Sequence, residues 1–448
     1  MFQLYDKTRR QICIAGFFAL CVAPTVLVVL WCVGRHLPGR AAAEAKRLGR
    51  ELGLNVSLDA VEHPRPGKVL YKGLELVDPE TGRPVFRCRS VETGWRKEPG
   101  ERGNRIRVLV LIASQPEIAP GGLEKLKPLI GRLLRHQAGP PNLHVRLAAD
   151  RITLRGGGSS LTFTEVQGSL DNLPERTDVR LDSRLAGAEA DGPVQIRLVR
   201  NRQIDPPATG FELNTGSVEI PCDVLALGLP LFGSLGPQCR FRGRLSAYQT
   251  PGSGLPGDWD GEMAGRLLDL DLGRLVSEQF PHKLNGMAEV SIQSARFHRG
   301  RLEEAKGTLS AGPGTIGRSL VVASVERLGL VPRVPLQKLD ATVVYDELAF
   351  VYTLHSGGLQ LEGQCASAEP GIILADHRCP LLGAPGAELL PVVALLRTLV
   401  PQSELQVPAT RQSDWLMRHL PIPEVQLPAG AQPELPHAQL RLGRGVER

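Results

Sequence analysis

The segment closest to a known chemical motif is Gly312-Pro-Gly-Thr-Ile-Gly317, which has the spacing G-x-G-x-x-G. In dinucleotide-binding proteins this loop joins a parallel strand to a helix that holds the pyrophosphate, and an acidic residue follows about 20 positions later. Asp340 lies near that distance. However, Pro313 stiffens the loop, and the flanking pattern predicts an antiparallel meander rather than a βαβ unit. A glycine-rich turn is therefore the better interpretation.

Residues that could act in catalysis do not form a recognisable motif. The chain has no Gly-x-Ser-x-Gly, no His-Glu-x-x-His, no Walker loop and no Cys-x-x-Cys. Carboxylate pairs such as Asp258 with Asp260 and Asp269 with Asp271 alternate with apolar residues, as on the solvated side of a strand or at a helix start. We therefore expect a protein that is not an enzyme and that needs no cofactor.

The cysteines allow two interpretations. Cys222 with Cys239 and Cys365 with Cys379 are spaced like local disulfides, each of which would stabilise the fold by about 3 kcal/mol in the chain-entropy model. Buried free thiols are the alternative, because Cys88 would remain single. Cys365, His377 and Cys379 have no evident fourth ligand, so we expect no metal site.

An uncharged segment of 23 residues, from Ile12 to Gly34, follows a short basic head. At about 1.5 Å per residue it matches a bilayer core of roughly 30 Å, and Pro24 in its middle is tolerable in a membrane helix. The alternatives are a cleaved signal peptide and a buried core helix. A signal peptide has a shorter apolar region of about 7 to 15 residues, so we predict an uncleaved membrane anchor.

Composition and charge limit which class of protein can follow the anchor. The 448 residues carry a net charge of +6 and only 4% aromatic residues, and the basic residues are scattered. We therefore expect no nucleic-acid partner. Basic residues flank both ends of the apolar segment, so charge leaves the orientation of the anchor open.

Period-two alternation of apolar and polar residues recurs from Leu54 onward, with turn residues every 8 to 15 positions. This pattern predicts about 15 to 20 antiparallel strands that each have one solvated face. The segment from Arg105 to Ala113 is apolar on both faces from Val108 onward and predicts a more covered strand. Helical periodicity is limited to a few segments, namely 121–136, 268–280, 319–328, 387–400 and 414–420.

These patterns predict a mainly β fold, in which one N-terminal transmembrane helix precedes an elongated, antiparallel β-rich groove or sandwich with a few short helices. We divide the chain into a basic head (1–11), a transmembrane helix (12–34), a juxtamembrane helix (35–53), a β-rich domain (54–400, with a subdivision near 250) and a Pro-rich C-terminal segment (401–448).

So few helices leave the apolar strand faces in need of a partner. The sheet can pack on a second sheet, close into a barrel, or form a trough whose apolar face meets a nonprotein ligand such as lipid acyl chains. For a trough, the alternating apolar residues predicted to line it are Val108, Val110, Ile112, Val145, Leu147, Val194, Ile196, Leu198, Leu359 and Leu361.

Several segments resemble AsmA-like proteins, and the resemblance touches about half of the chain. It rests on the N-terminal span with its charged helix, and on strand-like segments that include 53–61, 66–79, 259–275, 284–292 and 300–307. The resemblance implies a protein anchored in the inner membrane, facing the periplasm, with a β-groove that holds or conducts lipid during envelope biogenesis. The resemblance implies no catalytic motif for this chain.

Two functions are favoured at this stage, and a third, an anchored hydrolase, would require a cleft of converging carboxylates or histidines that the sequence does not reveal. The first is a membrane-anchored, noncatalytic groove that binds or transfers phospholipid or another acyl lipid. The second is a membrane-tethered β-sandwich scaffold that binds protein partners of the cell envelope.

Overall fold

A computed structural model describes residues 6–35, 39–99, 105–134, 143–155, 160–187, 192–205, 207–226, 230–249, 259–386 and 389–400. The predicted C-terminal segment (401–448) lies outside the described residues, as does the candidate helix at 414–420. Within the described part the fold is mainly β with a few short helices, so the predicted fold class is confirmed.

The described residues form seven α-helices: α1 (Asp6–Phe17), α2 (Ala23–Arg35), α3 (Gly39–Leu52), α4 (Gly122–Leu134), α5 (Cys222–Ala226), α6 (Arg318–Leu328) and α7 (Val392–Leu399). Shorter turns are of π type at Phe18–Val22 and Gly273–Ser277, and of 3-10 type at Pro230–Leu235 and Leu336–Lys338.

Twenty-four strands complete the described part. They are β1 (Asn55–Ser57), β2 (Ala60–Glu62), β3 (Lys68–Val77), β4 (Pro84–Pro99), β5 (Arg105–Ser114), β6 (Glu117–Ile118), β7 (Leu143–Arg155), β8 (Ser160–Asn172), β9 (Arg176–Leu185), β10 (Val194–Asn201), β11 (Ala208–Asn214), β12 (Ile220–Pro221), β13 (Arg240–Gln249), β14 (Trp259–Asp271), β15 (Leu284–Asn285), β16 (Met287–His298), β17 (Arg301–Ala311), β18 (Gly314–Gly317), β19 (Val331–Pro332), β20 (Thr342–Tyr345), β21 (Glu347–His355), β22 (Gly358–Gly363), β23 (Ile372–Ala375) and β24 (Pro380–Gly383).

The N-terminal helix is long and apolar enough to span a membrane, and none of its most apolar stretch, Arg10–Val29, is buried. That exposure does not fit the alternative of a buried core helix. The π-type turn lies just before Pro24, whose missing N–H and bulky ring disturb the preceding α-helical turn. The Thr25 hydroxyl donates to the Cys21 carbonyl oxygen at 2.6 Å and so satisfies one backbone acceptor near the proline. Ile12 lies in α1, and Gly34 lies in α2.

One sheet contains 21 of the strands, and β15, β18 and β20 form a second, small sheet. The large sheet has the spatial order β1/β2, β3, β4, β5/β6, β7, β8, β9, β10, β11/β12, β13, β14, β16, β17, β21, β22/β23, β24, β19. At about 4.8 Å between neighbours, this ladder spans about 75 Å. The sheet continues through the predicted subdivision near residue 250, because β13 pairs with β14 along its whole length.

Neighbouring strands of the large sheet are antiparallel, except that β5 and β6 are both parallel to β7. The chain makes this crossover through α4. Successive side chains of a strand point to opposite faces, and directly paired residues share a face. β16 illustrates the resulting pattern, since Ala288, Val290 and Ile292 are buried and alternate with the exposed Met287 and Glu289.

A close approach of two backbones occurs where β13 meets β14. Gly243 and Gly265 are direct cross-strand partners with φ of 156° and 155°. A Cβ atom at Gly243 would lie 2.2 Å from the Ala264 carbonyl oxygen, and one at Gly265 would lie 2.3 Å from that of Arg242. Only glycine fits this pair of positions.

Three local predictions need correction. Gly314–Gly317, predicted as part of a turn, forms β18 and pairs antiparallel with β15 and β20. The predicted helix at 268–280 is a continuation of β14 to Asp271 followed by the π-type turn. The helix predicted at 387–400 is shorter, because it begins only after Pro391.

The main buried cluster joins the large sheet to a layer of helices over its C-terminal half. Phe232 packs edge-on against Phe241 of β13, with ring centroids 5.5 Å apart. The 273–280 segment, α5, α6 and α7 also contribute buried side chains to this cluster, among them Cys222, Val224, Val276, Phe280, Leu320, Val321, Leu328, Val392 and Leu396. The C-terminal half of the sheet therefore has a second layer on one face.

Candidate functional site

An apolar row crosses the N-terminal half of the large sheet at right angles to its strands. The register places one residue of each strand from β4 to β11 (β6 excepted) side by side on one face. We call these residues the transverse row: Trp95, Leu109, Val145, Leu170, Val179, Leu198 and Phe211. At about 4.8 Å per strand the row is about 30 Å long.

The side chains of the transverse row are only partly buried. Leu109, Val145, Leu170, Val179 and Leu198 are each intermediate in exposure, and Trp95 is 51% exposed. None of the five aliphatic residues belongs to the main buried cluster or packs against it. The row therefore offers apolar surface that the described protein core does not use.

A second row on the same face links this surface to the core. It comprises Leu111, Leu147, Gly168, Leu181, Ile196, Leu213, Leu245, Met263, Ala295, Ala305, Leu354 and Leu359. Its members up to Ile196 are half-buried, whereas those from Leu213 onward are at most 8% exposed. We call the face that carries both rows the apolar face.

One side of the transverse row is closed by a polar network on the apolar face. Thr177 donates to the Asn172 side-chain oxygen at 2.7 Å, and both residues are fully buried. Arg202 donates to Thr177 at 2.6 Å and to the Leu134 carbonyl oxygen at 2.7 Å. This contact ties the C-terminal end of α4 to the network, while Ile130 of α4 stays 39% exposed.

The opposite face of the same strands is charged. Asp178, at 3% exposure, accepts from Arg180 and Arg197 at 3.1 Å each and pairs with Arg176 at 3.3 Å. Burial by itself would raise the pKa of Asp178, but the hydrogen bonds from Arg180 and Arg197 outweigh it and lower that pKa below its ordinary value. This carboxylate is therefore ionised and serves as the centre of an arginine cluster.

A half-open cavity of about 770 Å³ lies against this charged face between β9 and β16. Its charged lining residues are Arg180, Asp182, Arg197, Glu212, Arg244, Glu262 and Arg296. Ion pairs join several of them, such as Arg296 with Glu262 at 3.6 Å. A cavity with this lining suits a polar partner rather than acyl chains.

The structure divides the predicted groove residues between the two faces. Val145, Leu147, Val194, Ile196, Leu198, Leu359 and Leu361 share the apolar face. Val108, Val110 and Ile112 lie on the charged face, because their partners in β7 are His144, Arg146 and Ala148. Val194 and Leu359 are only 1% and 4% exposed and belong to the protein core, against which Leu147, Ile196 and Leu361 also pack.

Sequence reasoning predicted Val145 and Leu198 and missed the other five residues of the transverse row. Leu109 takes the place expected for Val108 and Val110, and Leu170 and Val179 were not singled out. Both odd- and even-numbered residues of β5 are apolar. Only the parallel register of β5 with β7 therefore identifies which of them lie on the apolar face. For β8 and β9, the alternation of Leu170 and Val179 with Asp171 and Asp178 was an available signal.

The acidic residues singled out in the sequence accept local backbone hydrogen bonds where the structure describes them. Asp271 accepts from the backbone N–H of Gly273 at 2.8 Å, and Asp260 accepts from that of Arg299 at 2.9 Å. Asp258 lies outside the described residues. Within the described ranges, no group of three or more His, Cys, Asp or Glu side chains could hold a metal ion.

The two cysteine pairs differ in geometry. The Cys222 and Cys239 sulfur atoms are 3.2 Å apart and both residues are fully buried. Cys365 instead donates to the Glu347 carbonyl oxygen. All four residues are free thiols. Only the first predicted pair is therefore brought together.

Comparison of the chain with protein families, curated proteins and solved structures finds no match.

Proposed function

We propose that this protein is a noncatalytic, membrane-anchored lipid-binding protein that holds acyl chains against the transverse row. The observation that carries the proposal is the row itself: seven partly exposed apolar side chains on neighbouring strands, of which all but Phe211 make no contact with the main core. Isolated exposed apolar residues are ordinary on protein surfaces, but a contiguous apolar strip marks a binding surface.

The dimensions of the row agree with an acyl ligand. A bilayer core of roughly 30 Å contains two chain lengths, so the row of about 30 Å has room for two chains end to end or for one chain in several positions. The strip continues into the second row, which would let a chain slide across strands. Binding of this kind suits lipid transfer.

The N-terminal helix would hold this surface beside a membrane. In line with the resemblance to AsmA-like proteins, we place the anchor in the inner membrane and the β-rich domain in the periplasm, where lipid transfer would serve envelope biogenesis. The phospholipids of that membrane would be the substrate.

A matched pair of variants tests the proposal on the full-length protein purified from a lipid-containing host. Val145→Asp puts a charge into the transverse row, whereas Val110→Asp makes the same change on the charged face of the adjacent strand. We expect stoichiometric lipid, measured by native mass spectrometry and lipid extraction, to copurify with the wild type and with Val110→Asp, and to be lost from Val145→Asp.

Circular dichroism and thermal melting of each variant control for folding, and Val145→Thr replaces Val145→Asp if the aspartate prevents folding. A lipid-free wild type, or equal lipid loss from the folded valine variants on both faces, would contradict the proposal.

The charged cavity favours a second candidate function, a scaffold for an envelope protein. Its alternating arginine and carboxylate side chains match the complementary charges that steer protein partners. Retention of an envelope protein by the wild type but not by Arg244→Glu, with lipid content unchanged, would support this function.

A further inference from the structure

The transverse row ends at a basic tip. β4 and β5 form a hairpin that extends past both neighbours, since β3 begins opposite Gly94 and β7 begins to pair with β5 at His144, opposite Val108. Beyond these points, Lys97 pairs directly with Arg107, and Pro99 pairs with Arg105. We call the exposed side chains Trp95, Lys97, Arg105 and Arg107, which share the apolar face, the hairpin tip.

The pairing of Lys97 with Arg107 is unfavourable by itself. Like charges directly opposite each other across two antiparallel strands destabilise the pair. Among the described residues, no carboxylate forms an ion pair with Lys97, Arg105 or Arg107, and Glu98 points to the opposite face beside Ile106. A bound anion would remove this repulsion.

Trp95 connects the cations to the apolar row. The Arg107 guanidinium carbon lies 4.8 Å from the centroid of the Trp95 ring, and Trp95 itself is the cross-strand partner of Leu109. Tryptophan beside basic residues is typical of the boundary between acyl chains and headgroups, since its ring is apolar and its N–H is polar.

We propose that the hairpin tip binds the anionic headgroup of an amphiphile whose acyl chain lies on Leu109, Val145 and Leu170. This inference rests on the proposed acyl-binding function and adds the class of substrate: lipids with a net negative, phosphate-containing headgroup are preferred over zwitterionic lipids with the same chains. Lys97 and Arg107 supply the charge, and Trp95 covers the glycerol region.

The experiment compares two lipids with identical acyl chains on delipidated full-length protein in detergent. Phosphatidylglycerol and phosphatidylcholine are added in competition, and the bound ratio is measured by native mass spectrometry. We expect the wild type to favour phosphatidylglycerol by about 3- to 10-fold, as for two exposed charge interactions, and to lose this preference at high salt.

Two variants locate the preference. Lys97→Gln with Arg107→Gln should bind both lipids equally, with phosphatidylcholine binding unchanged from the wild type. Arg96→Gln removes a neighbouring positive charge on the opposite face and should keep the preference. Retention of the preference by the double variant, or its loss in Arg96→Gln, would overturn the assignment to the hairpin tip.

The outcomes also separate the two proposals. Equal binding of both lipids by the wild type would overturn the headgroup inference and leave acyl binding intact, whereas binding of neither lipid would overturn both. Glycerol phosphate has the charge without the chains and should not compete at equal concentration. Competition as strong as that of phosphatidylglycerol would identify a site for free anions and would overturn the lipid inference.

Discussion

The two halves of the large sheet present the same apolar face in different surroundings. In the C-terminal half, Leu245, Met263 and Leu354 are at most 8% exposed and belong to the main buried cluster. In the N-terminal half, Leu147 and Ile196 occupy the same row but are half-buried. The row is continuous, so the difference lies in what covers it and not in the strands.

One sheet can therefore contribute both to a folded core and to a partly exposed apolar surface. Burial in the main cluster, to which α5, α6 and α7 contribute, provides the C-terminal half with hydrophobic stabilisation of about 25 cal/mol per Å² of apolar area. The N-terminal half forgoes part of this stabilisation and keeps apolar area available to a ligand. Along the second row the change occurs between Ile196 and Leu213, where β10 meets β11, while Ala149, Val166 and Val194 of the N-terminal half belong to the main buried cluster.

Replacing one leucine by alanine in each half should show the largest difference in the free energy of unfolding. Leu267→Ala removes a 7% exposed side chain from the covered half and should lower the free energy of unfolding by about 2 to 5 kcal/mol. Leu198→Ala in the transverse row should cost only about 1 kcal/mol, because little protein packs on it. Urea unfolding of the full-length variants in detergent, in lipid-free form, measures both. Equal losses would show that the two halves are equally packed.

Oxidation should stabilise the covered half further. Cys222 donates a hydrogen bond to the Cys239 sulfur, which raises the pKa of Cys222 and lowers that of Cys239, and a disulfide between them closes a short loop. With glutathione disulfide as oxidant, we expect the chain to lose two hydrogens and to gain about 3 kcal/mol of unfolding free energy. Intact mass spectrometry and urea unfolding measure the two effects.

The control for oxidation is Cys222→Ser, which should show neither effect. A wild type that stays reduced, or that links Cys365 with Cys379 instead, would contradict the prediction.

Acid should loosen the covered half by a smaller amount. His282, at 4% exposure, donates from Nε2 to the Thr398 carbonyl oxygen at 2.8 Å and accepts at Nδ1 from the Ser319 hydroxyl at 3.1 Å. Burial lowers the pKa of His282 below 6.5. The unfolded chain therefore takes up this proton first as pH falls, so the folded state loses stability below about pH 6.5, by at most about 1.4 kcal/mol per pH unit.

Unfolding free energies of the wild type and of His282→Asn, measured between pH 7.5 and about 5, check this contribution. The wild type should show the steeper loss. Identical slopes for the two proteins would contradict the assignment to His282.

The sequence was sufficient to predict the class of fold, because period-two alternation and one long apolar segment are local signals. The alternation around Ile196 and Leu198 placed those two residues on the correct shared face. The alternation did not assign a face in β5, because Val108 and Leu109 are both apolar. Only the parallel pairing of β5 with β7, which the chain reaches through α4, determines which of the two lies on the apolar face. The layer of helices could not be predicted either, because contacts such as Phe232 with Phe241 join elements whose packing leaves no periodic pattern in the sequence.

The cysteines show the same limit. Spacing placed Cys222 near Cys239 correctly, since a short connection separates two neighbouring elements. The similar spacing of Cys365 and Cys379 did not bring their thiols together, because Cys365 turns toward the Glu347 carbonyl oxygen. Sequence distance limits how far apart two residues can be, but it does not determine whether their side chains point toward each other.

Photo-cross-linking tests the difference between the two halves most directly. The full-length protein is reconstituted with a phospholipid that carries a diazirine in its acyl chain, and adducts outside the N-terminal helix are mapped by peptide mass spectrometry. We predict adducts on Leu170, Val179 and Leu198, and none on Leu267 or Leu354. Adducts spread equally over both halves, or confined to the N-terminal helix, would contradict an open lipid-binding surface in the N-terminal half.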